Sequence, residues 1–189
     1  MPSLPIVYST HTLHPRASAM LDGIATLRVA SALDPQIFVR ESRDASAFVI
    51  RVPVPAEILE DAPLHRLAAR HGAGLDMVPI EAATRAGVLV SNVPGANART
   101  VAEYIFFAAL ALYRRFRPID RDLRAKGWLA GRVETVHGRE LAGRTLGIVG
   151  MGNIGRAAAT IATAGFGLDV IATSRNRQGL PEDGIGWRT

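Results

Sequence analysis

An open parallel α/β sheet is the fold class that this sequence predicts, on three observations. Short apolar runs alternate with helix-favouring segments through residues 6–90, the rhythm of βα units. An apolar run from Thr145 to Val149 passes directly into Gly150-Met151-Gly152-Asn153-Ile154-Gly155, and an alanine-rich helical segment follows over residues 157–164. A further apolar run over residues 168–173 completes a strand–loop–helix–strand order. With 189 residues, 48% hydrophobic and 21% charged, the chain can bury a core as one domain or two small ones.

Taken in order, residues 6–8 are a strand after Pro5, residues 15–23 are helix-compatible, and residues 27–29 are a second strand candidate. Residues 47–52 are a strong strand stopped by Pro53 and Pro55, and residues 56–60 read as a short helix. Residues 64–70 have helical propensities, yet their place between two turns suits a buried strand, and both readings stand. Residues 71–74 are a loop. Residues 80–85 suit one or two helical turns, which Gly87 stops. Residues 88–90 are a strand ended by Asn92, Pro94 and Gly95.

From Asn97 the character changes. Asn97 is placed to cap a long helix reaching about Phe116, with Val101, Ile105, Ala108, Ala109 and Leu112 on one stripe. Tyr104, Phe106, Phe107 and Tyr113 widen its apolar surface, which predicts burial between domains or subunits. Pro118 starts a shorter helix that ends before Gly127, and residues 130–142 read as loop. The domain boundary falls near Arg99, giving residues 1–98 and 99–189.

Composition narrows the functional classes. Without cysteine there is neither a disulfide framework nor a thiol nucleophile. No apolar run reaches transmembrane length and the first residues lack a signal pattern, so a cytoplasmic protein is expected. The net charge of +5 invites a nucleic-acid reading. Against it, the arginines are dispersed and no helix has a basic stripe, so neither a nucleic-acid nor a membrane partner is expected. No metal site is assigned.

The glycine stretch is the order a dinucleotide-binding βα unit needs. Gly150 allows the turn off the strand, Gly152 lets a pyrophosphate approach the backbone, and Gly155 lets helix and strand pack closely. The helix N-terminus offers N–H groups and a partial positive charge to the phosphates. NAD sites usually place an acidic residue about 20 residues beyond the glycines, on the ribose 2′-hydroxyl. Here Ser174 takes that place, followed by Arg175, Asn176 and Arg177. A hydroxyl and guanidinium groups suit a 2′-phosphate that a carboxylate would repel. The expected cofactor is therefore NADP(H), with NAD(H) as the alternative.

Several stretches together resemble the NAD(P)-dependent D-isomer-specific 2-hydroxyacid dehydrogenase family. They are Arg70-His71-Gly72-Ala73-Gly74-Leu75-Asp76, residues 81–88, 91–97 and 100–103, and residues 140–147 leading into the glycines. The likeness covers the chain from about Ala47 onward. It implies a flavodoxin-like substrate domain followed by an incomplete Rossmann cofactor domain. It also implies a small 2-oxo or 2-hydroxy acid substrate, of the glyoxylate or hydroxypyruvate type. By the same resemblance Gly72, Ala73 and Gly74 hold the substrate carboxylate through backbone N–H groups, a plain turn being the alternative. Arg51, at a strand end, faces an acidic substrate or is simply solvated. His71 is read as a loop residue rather than an acid/base. The cofactor set is Thr100, near the nicotinamide, with Gly150, Gly152, Asn153, Ile154, Gly155, Ser174, Arg175 and Arg177.

The family's substrate-positioning arginine, its carboxylate partner and its acid/base histidine have no counterpart among these residues, so no catalytic residue is assigned. The resemblance thus implies a fragment or truncated product with about two cofactor-domain strands. The strand over residues 146–149 is then expected to have one unpaired apolar edge, and the isolated chain to be marginal in stability and without turnover. A non-catalytic dinucleotide-binding or dimerisation module is the alternative. A homodimer through the helix between Thr100 and Phe116 is expected. A DNA-binding regulator has only net charge in its favour.

Overall fold

The computed structural model describes residues 3–60, 66–175 and 184–188. Two compact units divide the chain, Met1–Ala96 and Asn97–Thr189. In the first, five strands alternate with helices: β1 (Ile6–Ser9), α1 (Pro15–Ala19), β2 (Thr26–Val29), α2 (Pro35–Glu41), β3 (Ala47–Ile50), α3 (Glu57–Glu60), β4 (Leu67–Arg70), α4 (Ile80–Ala86) and β5 (Leu89–Ser91). The strands pair in parallel in the order β2-β1-β3-β4-β5. This is the flavodoxin-like order, whose reversal point lies between β1 and β3. Residues 67–70, open to two readings in the sequence, are strand because they pair between β3 and β5.

Helix α2 adds to the elements expected from sequence, and its start signal is local. The Asp34 side chain accepts from Gln36 N at 2.8 Å and Ile37 N at 3.2 Å, and Pro35 occupies the first helical position, where its missing N–H costs nothing. Gly87 ends α4 at φ 68°, as its position predicts. The core gathers Tyr8, Phe38, Phe48, Ile50, Ile58 and Leu59, with Tyr8 and Phe48 edge to face at 6.2 Å. The Tyr8 hydroxyl escapes this apolar setting by donating to Glu41 Oε2 at 3.2 Å. Burial, then the Glu41 charge, raises its pKa.

The second unit comprises α5 (Ala98–Tyr113), α6 (Phe116–Lys126), α7 (Trp128–Thr135), β6 (Thr145–Val149), α8 (Asn153–Phe166), β7 (Asp169–Thr173) and β8 (Ile185–Trp187). Its sheet is parallel, ordered β6-β7-β8. Helices α5 and α8 pack together, with Phe106 stacked on Phe166 at 5.0 Å. Several expectations are corrected here. Helix α5 stops at Tyr113 rather than near Phe116, because Arg115 turns left-handed at φ 54° and α6 begins at Phe116. Pro118 is then the third residue of α6, still within the first turn, where no N–H is required. Asn97 makes no side-chain cap.

The fully buried positions of α5 are Ala98, Ala102 and Phe106; of the expected stripe, Ile105 and Ala109 pack partly buried against the same core, while Leu112 is 78% exposed. The expected loop over residues 130–142 overlaps α7, which begins at Trp128 and packs on α6. Gly131 permits this: a Cβ there would stand 3.0 Å from Leu123 Cβ and 3.3 Å from Ile119 O. Arg115 clamps the junction through two hydrogen bonds to Glu134 Oε2, at 3.0 and 2.8 Å. The sheet has three strands rather than two. Among the described residues β6 pairs with β7 alone, and Val149 is 92% exposed.

The first unit is acid-sensitive at one polar network. Ser31 donates its hydroxyl and its N–H to Glu41, and Arg28 binds Asp44 through two hydrogen bonds. The Ser31 hydroxyl chiefly lowers the Glu41 pKa, and the Arg28 hydrogen bond chiefly lowers that of Asp44. Groups with depressed folded pKa values contribute stability above the ordinary carboxylate range and lose it as pH falls through the lowered values. Urea midpoints at neutral pH and near pH 3 should fall on acidification. In a Glu41→Gln, Asp44→Asn double variant the fall should be shallower, by under about 1 kcal/mol per pair because both are exposed.

Candidate functional site

In the second unit the site is built where β6 ends. Gly150 leaves the strand at φ 97°, a conformation that side chains rarely adopt, with its N–H bonded to Thr173 O at 2.8 Å. Met151 turns into the core formed with Ala102, Phe106 and Ala158. Gly152 precedes α8 and has open space where a side chain would project. Gly155 is the opposite case: a Cβ there would collide with the Gly150 carbonyl oxygen and stand 3.3 Å from Ile148 Cγ2. The first backbone bond of α8 runs from Arg156 N to Gly152 O at 2.9 Å. The preceding N–H groups, on Asn153, Ile154 and Gly155, find no acceptor among the described residues. A helix of 14 residues thus presents free donors and its positive dipole end beside a glycine that bars no approach, a geometry suited to a phosphate group.

Ser174 and Arg175 lie just beyond β7, adjacent to Thr173, the residue that accepts from Gly150. Ser174 is half-buried and Arg175 exposed. Arg177 and Asn176 lie outside the described residues. Thr100 is exposed in the first turn of α5, two residues before Ala102, which shares a core with Met151.

In the first unit, the carboxyl ends of β1, β3, β4 and β5 supply a second set. At the β1/β3 reversal point, Thr10 N donates to Val49 O at 3.1 Å and Thr10 Oγ1 accepts from Arg51 N at 3.0 Å. Arg51 itself is exposed at that edge, where open α/β sheets bind ligands. After β4, His71 N donates to Ile50 O at 2.9 Å, and Gly72 stands at φ 158°. The loop's carbonyls are engaged: Gly72 O accepts from Val93 N at 3.0 Å and Ala73 O from Asn92 Nδ2 at 2.6 Å. Its Ala73 and Gly74 N–H groups have no acceptor among the described residues. The Asp76 carboxylate comes near, 2.6 Å from the place of a Cβ on Gly74. His71 is exposed.

Two contributors were not singled out from sequence. Asn92, assigned only as a strand terminator, anchors the loop by its side chain. Arg70, named only as the start of the loop, is buried and donates from Nη1 to His71 O at 2.7 Å. Its adjacency to His71-Gly72 was the available signal. Among the described residues, no cluster of three His, Asp or Glu side chains could hold a metal, and no helix is long and apolar enough to cross a membrane.

Comparison with known proteins places this geometry among relatives. Residues 106–187 match the family described as D-isomer specific 2-hydroxyacid dehydrogenase, NAD binding domain. The chain is 36% identical over 172 residues to a D-3-phosphoglycerate dehydrogenase of Mycobacterium tuberculosis, covering 90% of this chain and 32% of that protein. It superposes on a glyoxylate reductase from Paecilomyes thermophila with TM-score 0.81 and 28% identity, covering 100% of this chain and 61% of that one. It superposes equally on an NADPH-dependent glyoxylate/hydroxypyruvate reductase from Sinorhizobium meliloti in complex with NADP and malonate, with TM-score 0.79, 25% identity, and coverage of 98% and 57%. The chain therefore spans about a third of the curated relative and under two thirds of each solved structure.

The two glycines should respond differently to a methyl group. Gly155→Ala should destabilise the second unit by about 1–3 kcal/mol, the usual cost of overpacking. Gly152→Ala, with open space around it, should cost less than about 1 kcal/mol. Denaturant midpoints of the two variants check this; equal losses would contradict the packing described.

Proposed function

Since the chain belongs to the D-isomer-specific 2-hydroxyacid dehydrogenase family, we propose that it serves hydride transfer between NADP(H) and a small 2-oxo or 2-hydroxy acid. In this reading the second unit holds the cofactor and the first holds the acid. The observation that carries it is the set of N–H groups on Asn153, Ile154 and Gly155 that find no acceptor among the described residues, beside the open Gly152. These would bind the pyrophosphate, and Thr100 would face the nicotinamide. A bound nicotinamide dinucleotide supplies or accepts the hydride.

This chain's residues bind and orient. The Ala73 and Gly74 N–H groups hold the carboxylate, in a loop whose carbonyls are spent on Asn92 and Val93. Arg51 meets further negative charge at the reversal point. Glyoxylate and hydroxypyruvate are the substrates favoured, in keeping with the glyoxylate reductase and the glyoxylate/hydroxypyruvate reductase that the chain resembles. No residue of this chain is assigned the proton transfer, so binding without turnover is the expectation for these 189 residues. A non-catalytic dinucleotide-binding or dimerisation module is the second reading. The exposed Tyr104, Phe107, Leu112, Phe116 and Trp128 favour pairing, because apolar surface concentrated on helices of one unit is typical of an interface. We place a homodimer there.

Ser174 and Arg175 favour NADP(H), since a 2′-phosphate gains charge-assisted hydrogen bonds that a ribose hydroxyl does not. Fluorescence titration should show NADPH bound at least about tenfold tighter than NADH, equivalent to about 1.4 kcal/mol. Arg175→Ala should erase most of that difference. Equal or tighter NADH binding by the parent chain would sink the preference. Sedimentation should find a dimer at micromolar concentration and a monomer for Phe107→Asp. A monomeric parent chain would refute the pairing.

A further inference from the structure

Arg70 ends β4 only 9% exposed, yet among the described residues it forms no ion pair. Nη1 donates to His71 O at 2.7 Å and Ile50 O at 3.4 Å, while Nε is buried with no partner. Burying a cation without a counter-charge is costly, so a guanidinium held this way needs a reason. Its surroundings supply one. A Cβ on Gly72 would stand 2.8 Å from Nη1, 3.0 Å from Cζ and 3.1 Å from Nη2, so the guanidinium lies flat against that glycine. The carbonyls of residues 71, 72 and 73 accept from Arg70, Val93 and Asn92 respectively, and the N–H groups of residues 73 and 74 are left over. Asp76 brings a negative charge close to Gly74, which by itself would repel an incoming carboxylate.

We propose that Arg70 is the positioning residue of this loop: it fixes the carbonyls of Ile50 and His71, seats against Gly72, and lends an unneutralised positive charge to a carboxylate at the Ala73 and Gly74 N–H groups. The proposal rests on the reading of that loop as the substrate-carboxylate site. Arginine suits the role because one terminal nitrogen, Nη1, donates to both carbonyls while the planar guanidinium lies against Gly72.

The test uses the 15N-labelled full chain, with oxamate as the carboxylate probe, and the variants Arg70→Met and Arg70→Lys. Oxamate should shift the Ala73 and Gly74 amide resonances of the parent chain saturably. In R70M, sheet amides of β3 and β4 should stay protected. The His71, Gly72 and Val93 amides should exchange at least about tenfold faster and oxamate affinity should fall at least about tenfold, the scale of a lost charged hydrogen bond. R70K should loosen the loop similarly but retain more affinity than R70M, a charge rescue that a purely structural role would not give. Parent-like exchange and affinity in R70M would overturn the proposal, as would R70K no better than R70M. If the parent chain shows no oxamate response, the substrate reading of the loop fails and so does the electrostatic part of the proposal, while the exchange data still decide the positioning part. If R70M does not fold, R70K decides: faster loop exchange supports positioning, parent-like exchange overturns it.

Discussion

The approach of Gly155 to the Gly150 carbonyl governs the second unit. With no side chain at residue 155, α8 begins directly over the end of β6. That places the helix's first N–H groups at the mouth of the loop rather than one turn further along. Met151 can then turn inward to Ala102 and Phe106, which ties α5 to the same loop. The bond from Gly150 N to Thr173 O brings the end of β7, and with it Ser174 and Arg175, alongside. A methyl group at residue 155 would disturb all three relations, whereas one at residue 152 would disturb only an incoming ligand.

The first unit reaches a similar end by a different route. Among the described residues its helices are short, at most seven residues; its loop is arranged instead by hydrogen bonds that consume carbonyls and leave N–H groups. Asn92 and Val93 act from the β5 side and Arg70 from the β4 side. A segment whose carbonyls are engaged while its half-buried Ala73 and exposed Gly74 N–H groups stay idle among the described residues is arranged to donate to an acceptor from outside. The two sites also differ in their source of positive charge. The glycine loop relies on a helix dipole, a fractional charge spread over several N–H groups. The loop after β4 has the whole charge of Arg70, unpaired among the described residues, against Gly72, with the Asp76 carboxylate on the Gly74 side.

Much of this was legible in the sequence because it is local. The glycine spacing, the apolar runs and Gly87 each act within a few residues, and each marks an element that the structure contains. What was illegible depends on partners distant in sequence. Helix α7 has exposed Trp128, Leu129 and Val133 and a glycine in its middle, so neither periodicity nor propensity marks it. It forms because Gly131 lets α6 come close. Arg70 reads from sequence only as the start of a loop, and its burial follows from a place beside Ile50 in the sheet that local sequence does not show. On α5 the most buried line, Ala98, Ala102 and Phe106, runs beside the expected stripe and shares its Ile105 and Ala109 edge, because a helix apolar on most sides gives no single phase to read. Helix α2 is different: Asp34-Pro35 was a sufficient local signal and was passed over.

That apolar surplus on α5 bears on how the second unit is used. Burying Ala98, Ala102 and Phe106 satisfies the helix's packing on α8, and Tyr104, Phe107 and Leu112 add nothing to that contact. Exposing large apolar side chains forgoes roughly 25 cal/mol per Å² of burial. A surface helix that needed only an intramolecular face would gain solubility from charges at those positions. Aromatic residues there make sense if another surface covers them, and Tyr104 with Phe107, 6.0 Å apart at their ring centroids, already forms the kind of paired anchor that interfaces concentrate. Pairing through this face and nucleotide binding at α8 would then share one rigid support, the α5–α8 contact.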